Sequence, residues 1–190
     1  MPLLSQAVLF THFVMKDKAR LSTREMVLFS ALTALLFLLD IVLEVAMNVE
    51  LVSMLVATYT LVFRKKALII LYLYVALYLL IYGLGVYNLA YLYIWLVIWG
   101  VFMLLPKKGN RVFLMVLYAF ASALYGFAFG ALYIPAWAVA FDLDARGILA
   151  WWIAGVPADA IHAVGNFAFG FLILPLSELL ISLKKRAQLP

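Results

Sequence analysis

The sequence predicts an all-α membrane protein, with six transmembrane helices in one bundle and both termini cytoplasmic. Three observations carry this. Hydrophobic residues make up 69% of the chain and charged residues only 12%, which is far from the composition of a soluble domain. The apolar residues gather into stretches long enough to cross a bilayer, at roughly 20 residues per helical span. The cations between those stretches alternate from one side to the other. The 190 residues suffice for one integral membrane domain, residues 1–190, and leave no room for a second, soluble one.

The first 24 residues form an N-terminal segment. Its apolar run, "MPLLSQAVLFTHFVM", precedes its cations instead of following a basic leader, so it reads as an interfacial helix on the cytoplasmic face and not as a signal peptide. Span 1, residues 26–45, is announced by "STRE", Ser22 to Glu25. There the serine oxygen can take an orphan amide and the glutamate three residues on can reach back, as in a capping box. Span 2, residues 49–63, is short, which puts Asn48 and Glu50 at or just inside one interface. Spans 3 and 4 cover residues 67–86 and 89–105. Span 5, residues 112–140, is long and holds Gly126, Gly130 and Pro135, so a kink or an irregular outer end is expected. Span 6 covers residues 148–173.

Orientation follows from the cations. Lys16, Lys18, Arg20 and Arg24 precede span 1, Arg64 to Lys66 follow span 2, Lys107, Lys108 and Arg111 follow span 4, and Lys184 to Arg186 follow span 6. Every Lys and Arg except Arg146 therefore lies on alternate connections, which makes those connections cytoplasmic. The net charge of +5 is thus a topology signal, and nucleic acid is not an expected partner.

Catalysis and metal binding find no support. The chain has no cysteine, and its two histidines, His12 and His162, lie far apart, which leaves nothing for a thiolate nucleophile, a disulfide or a metal cluster. Gly-x-Ser-x-Gly, His-Glu-x-x-His and a Walker A loop are all missing. The protein is expected not to be an enzyme, with no catalytic and no metal-binding residues.

The polar residues inside the spans carry the functional reading. Asp159, His162 and Asn166 follow at spacings of three and four, so they share one face of span 6 with Ala163 and Gly170. An ionisable group in lipid costs roughly 2.5–3.5 kcal/mol on insertion scales, so this face looks into the bundle or into a wet cavity. It serves either as interhelical hydrogen-bonding glue or as a ligand pocket. In the pocket reading, loss of Asp159 or His162 weakens binding at little cost to stability. The aromatics favour the pocket. Tyr82, Tyr87, Tyr91, Tyr93, Trp95, Tyr133, Trp137, Trp151 and Trp152 crowd the outward half of spans 3 to 6, whereas an interfacial belt populates both sides. With Asn48 and Asn88 they can wall a site for a flat heterocycle. Trp151 and Tyr133 are expected to remain belt residues. The predicted binding set is Asn48, Tyr87, Asn88, Tyr91, Trp95, Trp137, Asp159, His162 and Asn166. In span 1, Asp40 and Glu44 are either a proton relay or hydrated interfacial acids. Ser30, Ala31 and Ala34 form a small-residue patch suited either to internal packing or to docking of a partner helix.

Taken together, six spans in 190 residues, cytoplasmic termini, the small residues of span 1 and a last helix opening with "GVPADAIHAVGNF" resemble the substrate-binding S components of energy-coupling factor (ECF) vitamin transporters. "NVELVSMLVATYTLVF" and "YLYIWLVIWG" look like pieces of the same group. The resemblance implies a subunit of the bacterial plasma membrane that captures a vitamin or related micronutrient from outside. It would join a transmembrane coupling subunit and two ATPase subunits, which use the ATP, and would need no cofactor of its own. The group's Ala-x-x-x-Ala docking pattern corresponds here to Ser30-x-x-x-Ala34. The alternative is a stand-alone proton-coupled transporter built on Asp40, Glu44, Asp159 and His162.

Overall fold

A computed structural model describes residues 21–43 and 50–188. The expectations for the interfacial N-terminal segment, for Lys16, Lys18 and Arg20, and for His12, Glu44 and Asn48 fall outside these residues. The described chain forms α1 (Thr23–Leu43), α2 (Val52–Phe63), a 3-10 turn (Arg64–Lys66), α3 (Ala67–Tyr82), α4 (Val86–Leu104), α5 (Arg111–Phe141), α6 (Ala145–Gly170) and α7 (Ile173–Arg186), and no strand among the described residues. Five helical stretches are long and apolar enough to cross a membrane: Thr23–Leu43, Val52–Tyr82, Val86–Leu104, Arg111–Phe141 and Ala145–Gly170.

Local chemistry sets most of the boundaries. Ser22 and Glu25 form the capping box expected of "STRE", with the Glu25 amide donating to Ser22 Oγ at 3.2 Å and the Ser22 amide to Glu25 Oε2 at 3.1 Å. Glu25 Oε1 also meets Lys66 Nζ at 2.5 Å, which ties the start of α1 to the turn before α3. Gly83, at φ 84°, closes α3, since a left-handed residue there is natural only for glycine. Asn110 and Asp144 cap α5 and α6 through bonds from the Phe113 amide at 3.1 Å and the Gly147 amide at 2.7 Å.

Two expectations about the spans change. α5 is helical throughout from Arg111 to Phe141, including Gly126, Gly130 and Pro135, so its outer end is not the irregular segment that was one of the two expectations. The glycines serve close packing against α6 instead. The last apolar stretch divides at residues 171–172 into α6 and α7, so α7 packs separately, with Ile173, Leu174 and Ser177 buried and its Lys184–Arg186 end exposed or half-buried.

The core is centred on α2, of which every residue but Val62 is buried. A helix apolar all round needs cover on every side, and α2 receives it chiefly from α4, α7 and α3. Its threonine hydroxyls are satisfied within the helix, Thr58 Oγ1 donating to the Met54 carbonyl at 2.8 Å and Thr60 Oγ1 to the Val56 carbonyl at 2.7 Å. At 12 residues α2 spans only about 18 Å, too little to cross the roughly 30 Å hydrocarbon core unaided. It ends at Arg64, whose φ of 55° breaks the helical path. The Arg64 guanidinium then donates to the carbonyls of Phe102 and Met103, at 3.3 and 2.5 Å, satisfying the orphan end of α4. Many large apolar side chains, among them Leu80, Leu104, Leu124 and Val139, are exposed, as suits a helical surface facing lipid.

Candidate functional site

α5 and α6 form the most extensive helix pair of the protein, and the predicted polar face lies in their seam. Asp159, His162, Asn166 and Gly170 are all buried on α6. They meet small residues on α5. A Cβ on Gly130 would stand 2.5 Å from Asp159 Oδ2, one on Gly126 would stand 2.8 Å from Asn166 Nδ2, and one on Gly170 would stand 2.5 Å from Ala119 Cα. Glycine at these three places lets the backbones approach closely enough to enclose polar side chains between them.

The bonds within the seam are few. Asp159 Oδ1 accepts from the Gly130 amide at 2.9 Å, and His162 Nε2 lies 3.0 Å from Glu50 Oε1. Glu50 is itself held at the start of α2, where its carboxylate accepts from the Ser53 amide at 3.1 Å and contacts Ser53 Oγ. This position suits a negative charge, because the amides of a first helical turn point towards it. By contrast, Asp159 Oδ2, both amide atoms of Asn166 and Trp95 Nε1 are buried with no hydrogen-bond partner among the described residues. A buried polar atom left unpaired costs roughly 1–3 kcal/mol, and native structures hold few of them.

The aromatic side chains gather beside this seam. Phe129 joins the parts, with ring centroids 4.6 Å from His162, 5.7 Å from Trp95, 5.9 Å from Tyr125 and 5.4 Å from Tyr133. Trp95 packs edge-on against Tyr91 at 5.2 Å, and Tyr87 stacks on Tyr133 at 4.6 Å. Tyr91, Trp95 and His162 thus belong to one buried aromatic cluster joined by Phe129, with Tyr87 at its exposed rim, while Asp159 and Asn166 face Gly130 and Gly126 in the same seam.

Other predicted residues lie elsewhere. Asn88 Nδ2 donates to the carbonyls of Tyr82 and Gly83, both at 3.0 Å, so it secures the end of α3 and the turn that follows. Trp137 stacks with Phe141 at 4.7 Å and packs on Trp151 at 4.6 Å, towards the ends of the α5–α6 hairpin. Tyr133, expected in the interfacial belt, is buried in the cluster, whereas Trp151 is exposed. Asp40 accepts from the Tyr74 hydroxyl at 2.9 Å. Ser30, Ala31 and Ala34 are exposed on α1, which leaves this patch open to a partner helix.

Sequence reasoning missed Glu50 as the partner of His162, and it missed Phe129 and Tyr125. For Glu50 a signal was present, an acid three residues before Ser53 at the mouth of an apolar helix. Gly126 and Gly130 were noticed, but as breakers. Their spacing of four, matching that of Asn166 and Gly170, was the usable clue.

Five apolar helical stretches of membrane length among the described residues, with a buried polar and aromatic region between them, define a multi-pass helical membrane protein. Compared with family models, with curated proteins and with solved structures, the chain gives no match.

Proposed function

We propose that this chain is the substrate-binding membrane subunit of an ATP-driven importer of the energy-coupling factor type, and that it captures a vitamin or related micronutrient at the region walled by Tyr91, Trp95 and Phe129. The supporting observation is the set of buried polar atoms without hydrogen-bond partners among the described residues, on Trp95, Asp159 and Asn166, on the seam where His162 meets the aromatic cluster. A flat, polar molecule would satisfy both features. The exposed Ser30, Ala31 and Ala34 are the proposed contact with a transmembrane coupling subunit, whose two ATPase partners would supply the energy.

In this reading the chain crosses the bacterial plasma membrane six times with both termini inside. The break at Arg64 divides Val52–Tyr82 into two arms, and the basic connections face the cytoplasm. Single cysteines introduced into this cysteine-free chain test the orientation: Arg146→Cys is expected to label from outside intact cells and Lys108→Cys only after permeabilisation. Labelling of both from outside would sink the six-crossing arrangement.

The site is tested by mass spectrometry of small molecules carried through purification, followed by titration of the recovered molecule. Asp159→Asn keeps Oδ1 as the acceptor for Gly130 and alters only the unpartnered position. It is expected to weaken binding by about tenfold or more, the lower end of the cost of a lost buried hydrogen bond, with a nearly unchanged apo melting temperature. Normal affinity in a destabilised protein would mean that Asp159 only holds the hairpin together.

One observation favours a second reading. The Glu50–His162 contact at 3.0 Å is an acid–imidazole pair between two helices, as a stand-alone proton-coupled transporter would need. The readings separate on reconstitution of the chain alone: a binding subunit retains substrate without pumping it, and a proton-coupled carrier accumulates substrate when a proton gradient is imposed.

A further inference from the structure

The basic end of the bundle contains two clefts, and they differ in how their charges are used. In the cleft of about 520 Å³ beside Arg64, which Lys65 and Lys184 also line, Lys66 is paired with Glu25 at 2.5 Å, Arg64 is spent on the carbonyls of Phe102 and Met103, Lys184 lies over the Phe63 ring at 5.9 Å, and none of the lining residues carries a buried, unpartnered polar atom. The cleft of about 410 Å³ between α2, α5 and α7 is different. Lys107 and Lys108 line it from the connection between α4 and α5, and Ser177 lines it from α7. Ser177 is 3% exposed, and its Oγ is buried with no hydrogen-bond partner among the described residues. Arg111 also lines the cleft, but its Nη1 lies 2.6 Å from both carboxylate oxygens of Glu178. The connection is anchored, because the Tyr118 hydroxyl donates to the Pro106 carbonyl at 2.7 Å.

We propose that this cleft binds the phosphate headgroup of an anionic phospholipid. A phosphate oxygen accepts from Lys107, Lys108 and the Ser177 hydroxyl, and the acyl chains leave along the apolar side. Three features select a lipid over a free anion. The cleft has an apolar wall, formed by Leu61, Leu114 and Leu174. It lies where α4 ends and α5 begins, which is headgroup depth for helices of membrane length. Val112 and Phe113, in the first turn of α5, are exposed and apolar, beside the route the acyl chains would take. Burial, and then the nearby Arg64, hold the Lys107 ammonium below the usual lysine range, and a bound anion relieves both effects. Basic pockets of this kind between helix ends are suited to lipid headgroups. The proposal does not depend on what the protein transports.

The test uses the full chain in a neutral detergent, with retention of phosphatidylglycerol, phosphatidylcholine and inorganic phosphate compared by native mass spectrometry and by competition. Wild type is expected to retain phosphatidylglycerol, to release phosphatidylcholine, and to be unaffected by millimolar phosphate. Lys107→Gln combined with Lys108→Gln is expected to weaken phosphatidylglycerol binding roughly thirtyfold, the effect of two surface cations. Ser177→Ala is expected to weaken it several-fold, about the effect of one neutral hydrogen bond. Glu178→Gln should have the opposite sign and strengthen binding, because it frees Arg111. An unchanged affinity in the double lysine variant, or weaker binding in Glu178→Gln, would overturn the assignment. Effective competition by inorganic phosphate would overturn the lipid and leave a site for a free anion. These side chains are exposed apart from Ser177, and an unaltered melting temperature in the lysine variant shows that any loss is not one of folding.

Discussion

Gly170→Val is expected to melt far below wild type when the purified protein is heated in detergent. A Cβ at this position would lie 2.5 Å from Ala119 Cα and 3.2 Å from Ala119 N and Cβ. None of these atoms belongs to a flexible side chain that could swing away. α5 and α6 would have to separate, and because the pair is packed by small residues along its length, separation at one end weakens contacts beyond it. Overpacking a tight interior site costs about 1–3 kcal/mol, occasionally more, and a branched side chain against backbone falls at the upper end. Gly170→Ala should move the melting temperature in the same direction by less. Gly100→Ala is the control, since nothing lies within 4 Å of a Cβ there, and its melting temperature should hold or rise slightly. If Gly170→Val melts with wild type, the close approach of the two helices is not present in the membrane protein.

His162→Ala is expected to destabilise the protein as well as to weaken ligand binding. Read from sequence alone, this substitution should lower affinity and leave stability nearly intact. The contacts of His162 argue for a different second half. The His162 side chain is 4% exposed and its partner Glu50 is 17% exposed, so loss of the imidazole leaves a largely buried carboxylate held only by Ser53. Losing a hydrogen bond to a charged, largely buried group costs about 1.5–3 kcal/mol, and the remaining bonds from Ser53 place the effect near the lower figure. A double-mutant cycle isolates the pair. Glu50→Gln and His162→Ala together should be less destabilising than the sum of the two, with a coupling of about 1–3 kcal/mol for groups in direct contact. Additive effects would mean that the two side chains do not interact.

Much of the fold was legible because it follows from local chemistry. Composition and the lengths of the apolar runs were enough to predict membrane helices. The capping box at Ser22–Glu25 depends on neighbours three positions apart. The polar face of α6 was legible for the same reason: helical periodicity alone puts Asp159, His162 and Asn166 on one side. Burial of that side is what the cost of a polar group in lipid requires.

Tertiary structure decided which atoms that face meets. His162 and Glu50 are 112 positions apart, and no spacing rule links an imidazole in one helix to an acid at the mouth of another. Gly126 and Gly130 are helix breakers by local propensity, and their role as a bed for Asn166 and Asp159 exists only because α6 returns alongside α5. Asn88 and Tyr133 exchanged their expected roles for a similar reason. An amide near a turn is captured by the nearest free carbonyls, here those of Tyr82 and Gly83. A tyrosine near a helix end is drawn inward when Tyr87 offers it a ring to stack on. Sequence by itself determined that this is a helical membrane protein and which face of its longest apolar hairpin is polar, since both are properties of one helix in lipid. Only the packed bundle decided which of those polar atoms are bonded and which are not, because a hydrogen bond across a helix interface depends on how closely two backbones approach, and that is set by the small residues of both.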